Sequence, residues 1–372
     1  MPERHDVAVY SPWGSLFYAS GKTGGGAEFQ AFTLARELSD AGLRVAHIVF
    51  PVNGTPALPA SAPTVVERSA YRGGLRAVGP VVEAFDVWRG LARANARCYV
   101  IRGSGGYMAA ASAFCRTYRR RLIFSSSNDL DYYPAREDRG PRVWNSYRRA
   151  VAHADHIVAQ TGHQLELAQQ TFPQVPATHI PSFALPAETW NATPDAFLWA
   201  DRLVDYKRPE LFLDLAEALP EARFRMILVT TAETAWYPEL EERVRRRAGE
   251  LANVELLETQ PRPQLLDYIS RAIAVVKTSE VEGMPNTFLE AWARGVPVLS
   301  FSVDPDQRIA DNEIGVVAGG SLERFVQGAR DLSGDPGLRD ELSRRARAFI
   351  EEVHSPPAVA RRWQAVIERL LQ

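Results

Sequence analysis

Cysteine is almost missing from this chain: 372 residues carry only Cys98 and Cys115. Two thiols build neither a disulfide framework nor a four-thiolate zinc site, and they fit a reducing compartment. No run of about 18 apolar residues occurs, so no membrane-spanning helix is expected, and residues 1–7 lack the apolar stretch of a secretory signal. The expected location is therefore cytoplasmic. Charge of one sign is also lacking, since 43 basic against 45 acidic residues leave a net charge of -2. That disfavours a protein living on nucleic acid. Lysine is scarce, with Lys22, Lys207 and Lys277 standing against forty arginines. In a chain that takes its cations as arginine, a retained lysine suggests a need for a compact ammonium. What is present is ordinary globular material, 46% hydrophobic and 24% charged, in a length that suits two cores of about 150 to 200 residues.

Strand-like and helix-like periodicities alternate along both halves. Residues 6–10, 45–50, 98–101, 122–125 and 156–159 read as short buried strands, with amphipathic helical stretches between them. Prolines recur through residues 173–194, which reads as an extended connector. Alternation then resumes with strands at 196–200, 224–229, 254–257, 272–276 and 296–301, and ends in two helices separated by Ser355-Pro356-Pro357. This βαβ repetition predicts an α/β protein of two doubly wound, Rossmann-like domains facing across a cleft. The expected division is 1–180, 195–355, and a last helix over 356–372 that returns to the first domain.

Three segments carry chemistry. Residues 11–28 form a long turn whose Gly24, Gly25 and Gly26 open into a helix, aiming backbone N–H groups at an anion. Gly21-Lys22-Thr23 within it is not a P-loop, because Leu16 stands where the first glycine of that motif is needed. In residues 197–211, Arg202 and Lys207 follow a strand and precede a helix starting near Pro209, where two cations can face an anion. In residues 277–300, Glu282 and Glu290 flank a helix start at Asn286. Backbone N–H groups from Gly283, Met284, Pro285's neighbours, Asn286 and Thr287 favour a diphosphate there, and the carboxylates suit sugar hydroxyls. Asp129-Leu130-Asp131 and Asp304-Pro305-Asp306 are expected as chance triplets rather than metal ligands.

In order and spacing these segments resemble the retaining GT-B glycosyltransferases of the GT4 type (group 1), over nearly the whole chain. Gly25-Gly26-Ala27-Glu28 matches the family's glycine turn. Asp201, Arg202, Leu203 and Lys207 match its second-domain cation element, with Asp201 where glycine is usual. Glu282 and Glu290, followed by residues 291–298, match its paired-glutamate element. The resemblance implies a glycosyltransferase that takes a nucleotide-sugar donor such as a UDP- or GDP-sugar, with no cofactor and no metal. Arg202, Lys207 and Glu282 would be catalytic. Gly25, Gly26, Gly283, Met284, Pro285, Asn286, Thr287 and Glu290 would bind the donor. Should these groups stand exposed in an open cleft, replacing them leaves melting unchanged.

The family often places histidine at the end of a first-domain strand. Residues 124–131 have none, so Asn128 and Asp129 are the acceptor-side candidates, for a sugar, lipid-linked or small-molecule acceptor. Basic and aromatic residues alternate through 114–124, and Arg136, Arg139, Arg142, Arg148 and Arg149 follow; this fits a solvated face or peripheral contact with anionic lipid at the inner membrane face. His153, His156 and His163 read as structural. A nucleotide-sugar epimerase and a non-catalytic sugar-nucleotide or glycan binder are the competing functions.

Overall fold

The computed structural model describes residues 4–18, 25–52, 61–68, 79–133, 141–187, 193–230, 234 and 237–372. Lys22, Gly24, Arg136 and Arg139 lie outside the described residues. The chain divides into two compact units, one of residues 1–183 with 356–372 and one of residues 184–355.

Unit 1 is a seven-stranded sheet in the order β3-β2-β1-β4-β5-β6-β7, with all pairings parallel. Its strands are β1 (His5–Tyr10), β2 (Val45–Val49), β3 (Thr64–Glu67), β4 (Ala96–Arg102), β5 (Arg121–Ser125), β6 (His156–Ala159) and β7 (Ala177–His179). Side chains alternate between the faces of the sheet. Val7 and Val9 pack with Leu34 and Leu38 of α1 (Gly26–Asp40) and with Val359 and Trp363 of the last helix, α13 (Pro356–Leu371). Ala8 and Tyr10 share the opposite core with Leu91 of α2 (Gly79–Ala94), Phe114 of α3 (Tyr107–Thr117) and Trp144 of α4 (Pro141–Val151). The last helix is fastened by Arg97 and Arg121, which donate to the carbonyls of Leu371 and Leu370 at 2.7 and 3.0 Å. Burial of Val359, Trp363 and Ile367 contributes on the order of 1.5–3 kcal/mol each.

Unit 2 is a six-stranded sheet in the order β10-β9-β8-β11-β12-β13, again all parallel. Its strands are β8 (Ala196–Arg202), β9 (Phe224–Val229), β10 (Val254–Leu257), β11 (Ala272–Lys277), β12 (Val298–Ser300) and β13 (Gly315–Val317). One face packs on α6 (Pro209–Ala218), α7 (Pro238–Glu250) and α11 (Leu322–Gly334) through Phe212, Val244 and Phe325. The other packs on α8 (Arg262–Ser270), α9 (Asn286–Ala293) and α12 (Pro336–Phe349), with Trp292 fully buried and donating to the Ile314 carbonyl at 3.0 Å.

Differences from the sequence reading have local causes. The stretch 173–194 is not wholly an extended connector, because β7 lies inside it, preceded by α5 (Gly162–Thr171). β7 and β13 are three residues each, too short to register as a period. The third strand is a four-residue edge with only Val66 buried. A short helix, α10 (Arg308–Asn312), precedes β13. Among the described residues no helix is long and apolar enough to cross a membrane.

Candidate active site in unit 2

Strand order reverses at β8 in unit 2, leaving β8 and β11 side by side with their carboxyl ends at the topological switch point. In open parallel sheets that is where a ligand finds room. Asp201 and Arg202 end β8, and Lys277 ends β11. A short 3₁₀ turn, Asp205–Lys207, then carries Lys207 back to the same place, and Arg208 adopts the left-handed conformation (φ 48°, ψ 53°) that starts α6.

Four charges meet there. Lys207 Nζ pairs with Glu282 Oε1 and lies 3.1 Å from Asp201 Oδ2. Lys277 Nζ lies 2.6 Å from the same Asp201 oxygen and 3.6 Å from Glu282 Oε1. All four side chains are at most 12% exposed. Burial opposes the charge of Asp201 and Glu282, but the two ammonium groups outweigh it and hold both carboxyls below their ordinary range. Burial likewise opposes the Lys207 charge, and Asp201 with Glu282 outweighs it, so its pKa is raised. Neighbouring backbone and hydroxyl groups fix the ring. Asp201 Oδ1 accepts from the Arg202 N–H at 2.8 Å, and Ser279 Oγ donates to Glu282 at 2.7 Å. Trp199 Nε1 donates to Thr278 Oγ1, which donates to the Lys207 carbonyl at 2.6 Å.

Glu282 lies in the loop leading to α9, and its glutamate partner Glu290 lies within that helix. Glu290 is buried and pairs with Arg262 Nη1 at 2.5 Å, at the start of α8. Gly283, Met284 and Pro285 are buried, Asn286 opens the helix, and Thr287 Oγ1 is buried with no hydrogen-bond partner among the described residues. Arg202 donates to the Tyr206 hydroxyl at 2.5 Å. Arg202, Lys207, Glu282 and the start of α9 thus belong to one edge of unit 2.

Asp201, standing where the family has glycine, lies within β8, and the left-handed residue of the segment is Arg208. One sequence expectation is corrected here. Lys207 and Glu282 are buried and ion-paired instead of standing exposed, so their replacement bears on stability. Sequence reasoning missed Lys277 as a member of the ring and Arg262 as the partner of Glu290. The scarcity of lysine was the available signal for the first; for the second, 28 residues separate the partners and no spacing rule connects them.

In unit 1, Gly25 caps α1 in an extended conformation and Gly26 begins it. Asn128 and Asp129 are engaged locally, Asn128 Oδ1 accepting from the Leu130 N–H at 3.0 Å and Asp129 Oδ1 from Gln164 Nε2 at 2.9 Å. The switch point of this sheet, between β1 and β4, is marked by Arg102, which sequence reading passed over. It donates to Ser125 Oγ and Gln160 Oε1, each at 3.0 Å, and burial lowers its pKa to about 10. Asp131 caps its own turn and Asp304 accepts from the N–H groups of Ile309 and Ala310. Among the described residues no group of three His, Cys, Asp or Glu could hold a metal ion.

Two Rossmann-like units, the second with paired glutamates around a helix start, define the GT-B class of glycosyltransferase fold. Residues 184–349 match the family described as Glycosyl transferases group 1, and residues 24–183 match Glycosyltransferase Family 4. The chain belongs to this family of glycosyltransferases. The D-inositol 3-phosphate glycosyltransferase of Kribbella flavida is 27% identical over 155 residues, 39% of this chain and 37% of that protein. The chain spans about a third of the length of the curated relatives it matches. The sucrose-phosphate synthase structure from Thermosynechococcus elongatus superposes with a TM-score of 0.80 at 15% identity, over 99% of each chain. That of Anabaena HepE in complex with UDP-glucose gives 0.72 at 16%, also over 99% of each. At these identities the structural likeness speaks for the fold.

Proposed function

We propose that unit 2 binds a nucleotide-diphosphate sugar and that the enzyme transfers the sugar, with retention and without a metal, to an acceptor engaged by unit 1. The observation that carries this reading is the charge ring at the switch point beside the start of α9. Breaking the bond from anomeric carbon to phosphate builds charge on the departing diphosphate. Arg202, Lys207 and the N–H groups at the helix start are donors that stabilise this charge more than the ground state. Thr287 Oγ1, buried and lacking a partner among the described residues, offers a further donor at that end of the helix. Glu290 would hold the ribose hydroxyls, since a carboxylate already paired with Arg262 keeps further acceptor sites. Glu282 would hold hydroxyls of the transferred sugar. HepE, which crystallised with UDP-glucose, supports a donor of this class.

On the acceptor side Asn128 and Asp129 stay candidates, with Arg102 at the unit 1 switch point linked to their loop through Gln160, which accepts from Arg102 and donates to the Ser127 carbonyl. A lipid-linked acceptor would bring in the arginine face of α4, where Arg142, Asn145, Ser146 and Arg149 line an open hollow of about 370 Å³. Donor turnover followed by anomer-resolved NMR tests the reading. The α-linked donor is expected to give the α product or α sugar first, at the same rate with EDTA or Mg²⁺. Loss of turnover in EDTA that Mg²⁺ restores would assign the diphosphate charge to a metal rather than to Arg202 and Lys207.

A further inference from the structure

The proposed function gives Lys207 two tasks that conflict. It is to neutralise a diphosphate, yet in the structure it is buried between two carboxylates, Asp201 and Glu282. A lysine that turned to a ligand from such a place would leave buried carboxylates uncompensated, which is strongly unfavourable. Lys277 resolves the conflict. It is buried at the end of β11, and its ammonium already touches Asp201 Oδ2 at 2.6 Å, nearer than Lys207 does at 3.1 Å. Glu282 has Ser279 Oγ and would gain sugar hydroxyls, whereas among the described residues Asp201 has only the two lysines and the Arg202 N–H.

We propose that Lys277 is a positioning residue for donor binding: it keeps Asp201 neutralised when Lys207 turns to the diphosphate. The proposal rests on the nucleotide-sugar reading of this site. Asp201 then depends on Lys277, since its carboxylate is not tolerable alone in a site that releases Lys207, whereas Lys277 keeps Glu282 Oε1 at 3.6 Å when Asp201 is gone. A carboxylate at 201 alone would compete with the donor for Lys207. An ammonium at 277 alone would lack its nearest carboxylate.

The test is a double-mutant cycle in the full-length chain, read by calorimetric titration with UDP and with GDP. Lys277→Met is expected to weaken binding of the nucleotide that the wild type prefers by about 10- to 100-fold, within the range of contacting pairs. Adding Asp201→Asn to Lys277→Met is expected to bring binding back to within about threefold of wild type, because the competing carboxylate has gone. A role confined to folding would instead lower melting of the free protein and leave nucleotide affinity alone. Equal affinity in wild type and Lys277→Met, or no recovery in a folded double variant, overturns the proposal. Should Lys277→Met not fold, Asp201→Asn and the double variant decide. Loss of Lys277 in the asparagine background should then change affinity less than about threefold, and a tenfold loss overturns the idea. A wild type that binds neither UDP nor GDP removes the nucleotide-sugar reading itself, a different failure from a flat cycle on a binding protein.

Discussion

Lys207→Ala is expected to lower turnover by about 10²- to 10³-fold, the scale for deleting one preorganised donor to developing charge. It should do so with little change in fold but a measurable fall in melting temperature. Lys207 sits at 6% side-chain exposure with Asp201 and Glu282 against it. Removing one member of a buried ion pair costs roughly 3–5 kcal/mol when nothing replaces it, and Lys277 moderates that loss by retaining contact with both carboxylates. Steady-state kinetics at saturating donor, beside a thermal melt, check both halves. Full turnover in the variant would leave Lys207 a structural charge and nothing more.

Acid is expected to weaken the protein as pH falls below about 6.5. His47 is fully buried, with Nδ1 at 2.8 Å from the Tyr18 hydroxyl and, among the described residues, no partner on Nε2, and burial lowers its pKa to about 3. His156, facing Thr178 Oγ1 at 2.9 Å, is lowered to about 4, chiefly by burial and then by Arg369. Both lie in unit 1. Between the ordinary histidine value of 6.5 and these lowered values the unfolded chain binds the protons and the folded one does not. The contribution is therefore fully present above pH 6.5 and is lost as pH falls towards 4, by up to about 1.4 kcal/mol per pH unit for each histidine. Asp201 and Glu282, whose carboxyls are held below their ordinary range, add their own loss only at lower pH. Calorimetric melts at pH 7, 6, 5 and 4.5 should show a steepening fall that His47→Gln reduces by about half. A melting temperature flat from pH 7 to 5 contradicts the assignment.

Much of this architecture was legible because buried parallel strands of four to seven residues read as apolar runs between helical periods. The alternation of Val7 and Val9 with Ala8 and Tyr10, or of Phe197 and Trp199 with Leu198 and Ala200, places one set on each side of a sheet. β7 and β13 escaped because three residues carry no period, and β7 was hidden by the prolines around it. At the site, Lys207, Glu282 and Glu290 were legible from local spacing around a strand end and a helix start. Their partners were not. Lys277 reaches Asp201 across 76 residues of sequence because β8 and β11 are neighbours in the sheet order, a fact of topology rather than of spacing. Asp201 was noted only as standing where the family has glycine, because the strand was expected to end at residue 200 whereas it runs to Arg202.

The charge ring of unit 2 is proposed as a diphosphate site. Titration of wild type and Lys207→Ala with UDP and GDP in metal-free buffer tests it most directly. Saturable binding of one of the two nucleotides by the wild type is expected, weakened at least tenfold by the substitution. Absence of binding to the wild type, or equal affinity in both proteins, would contradict it.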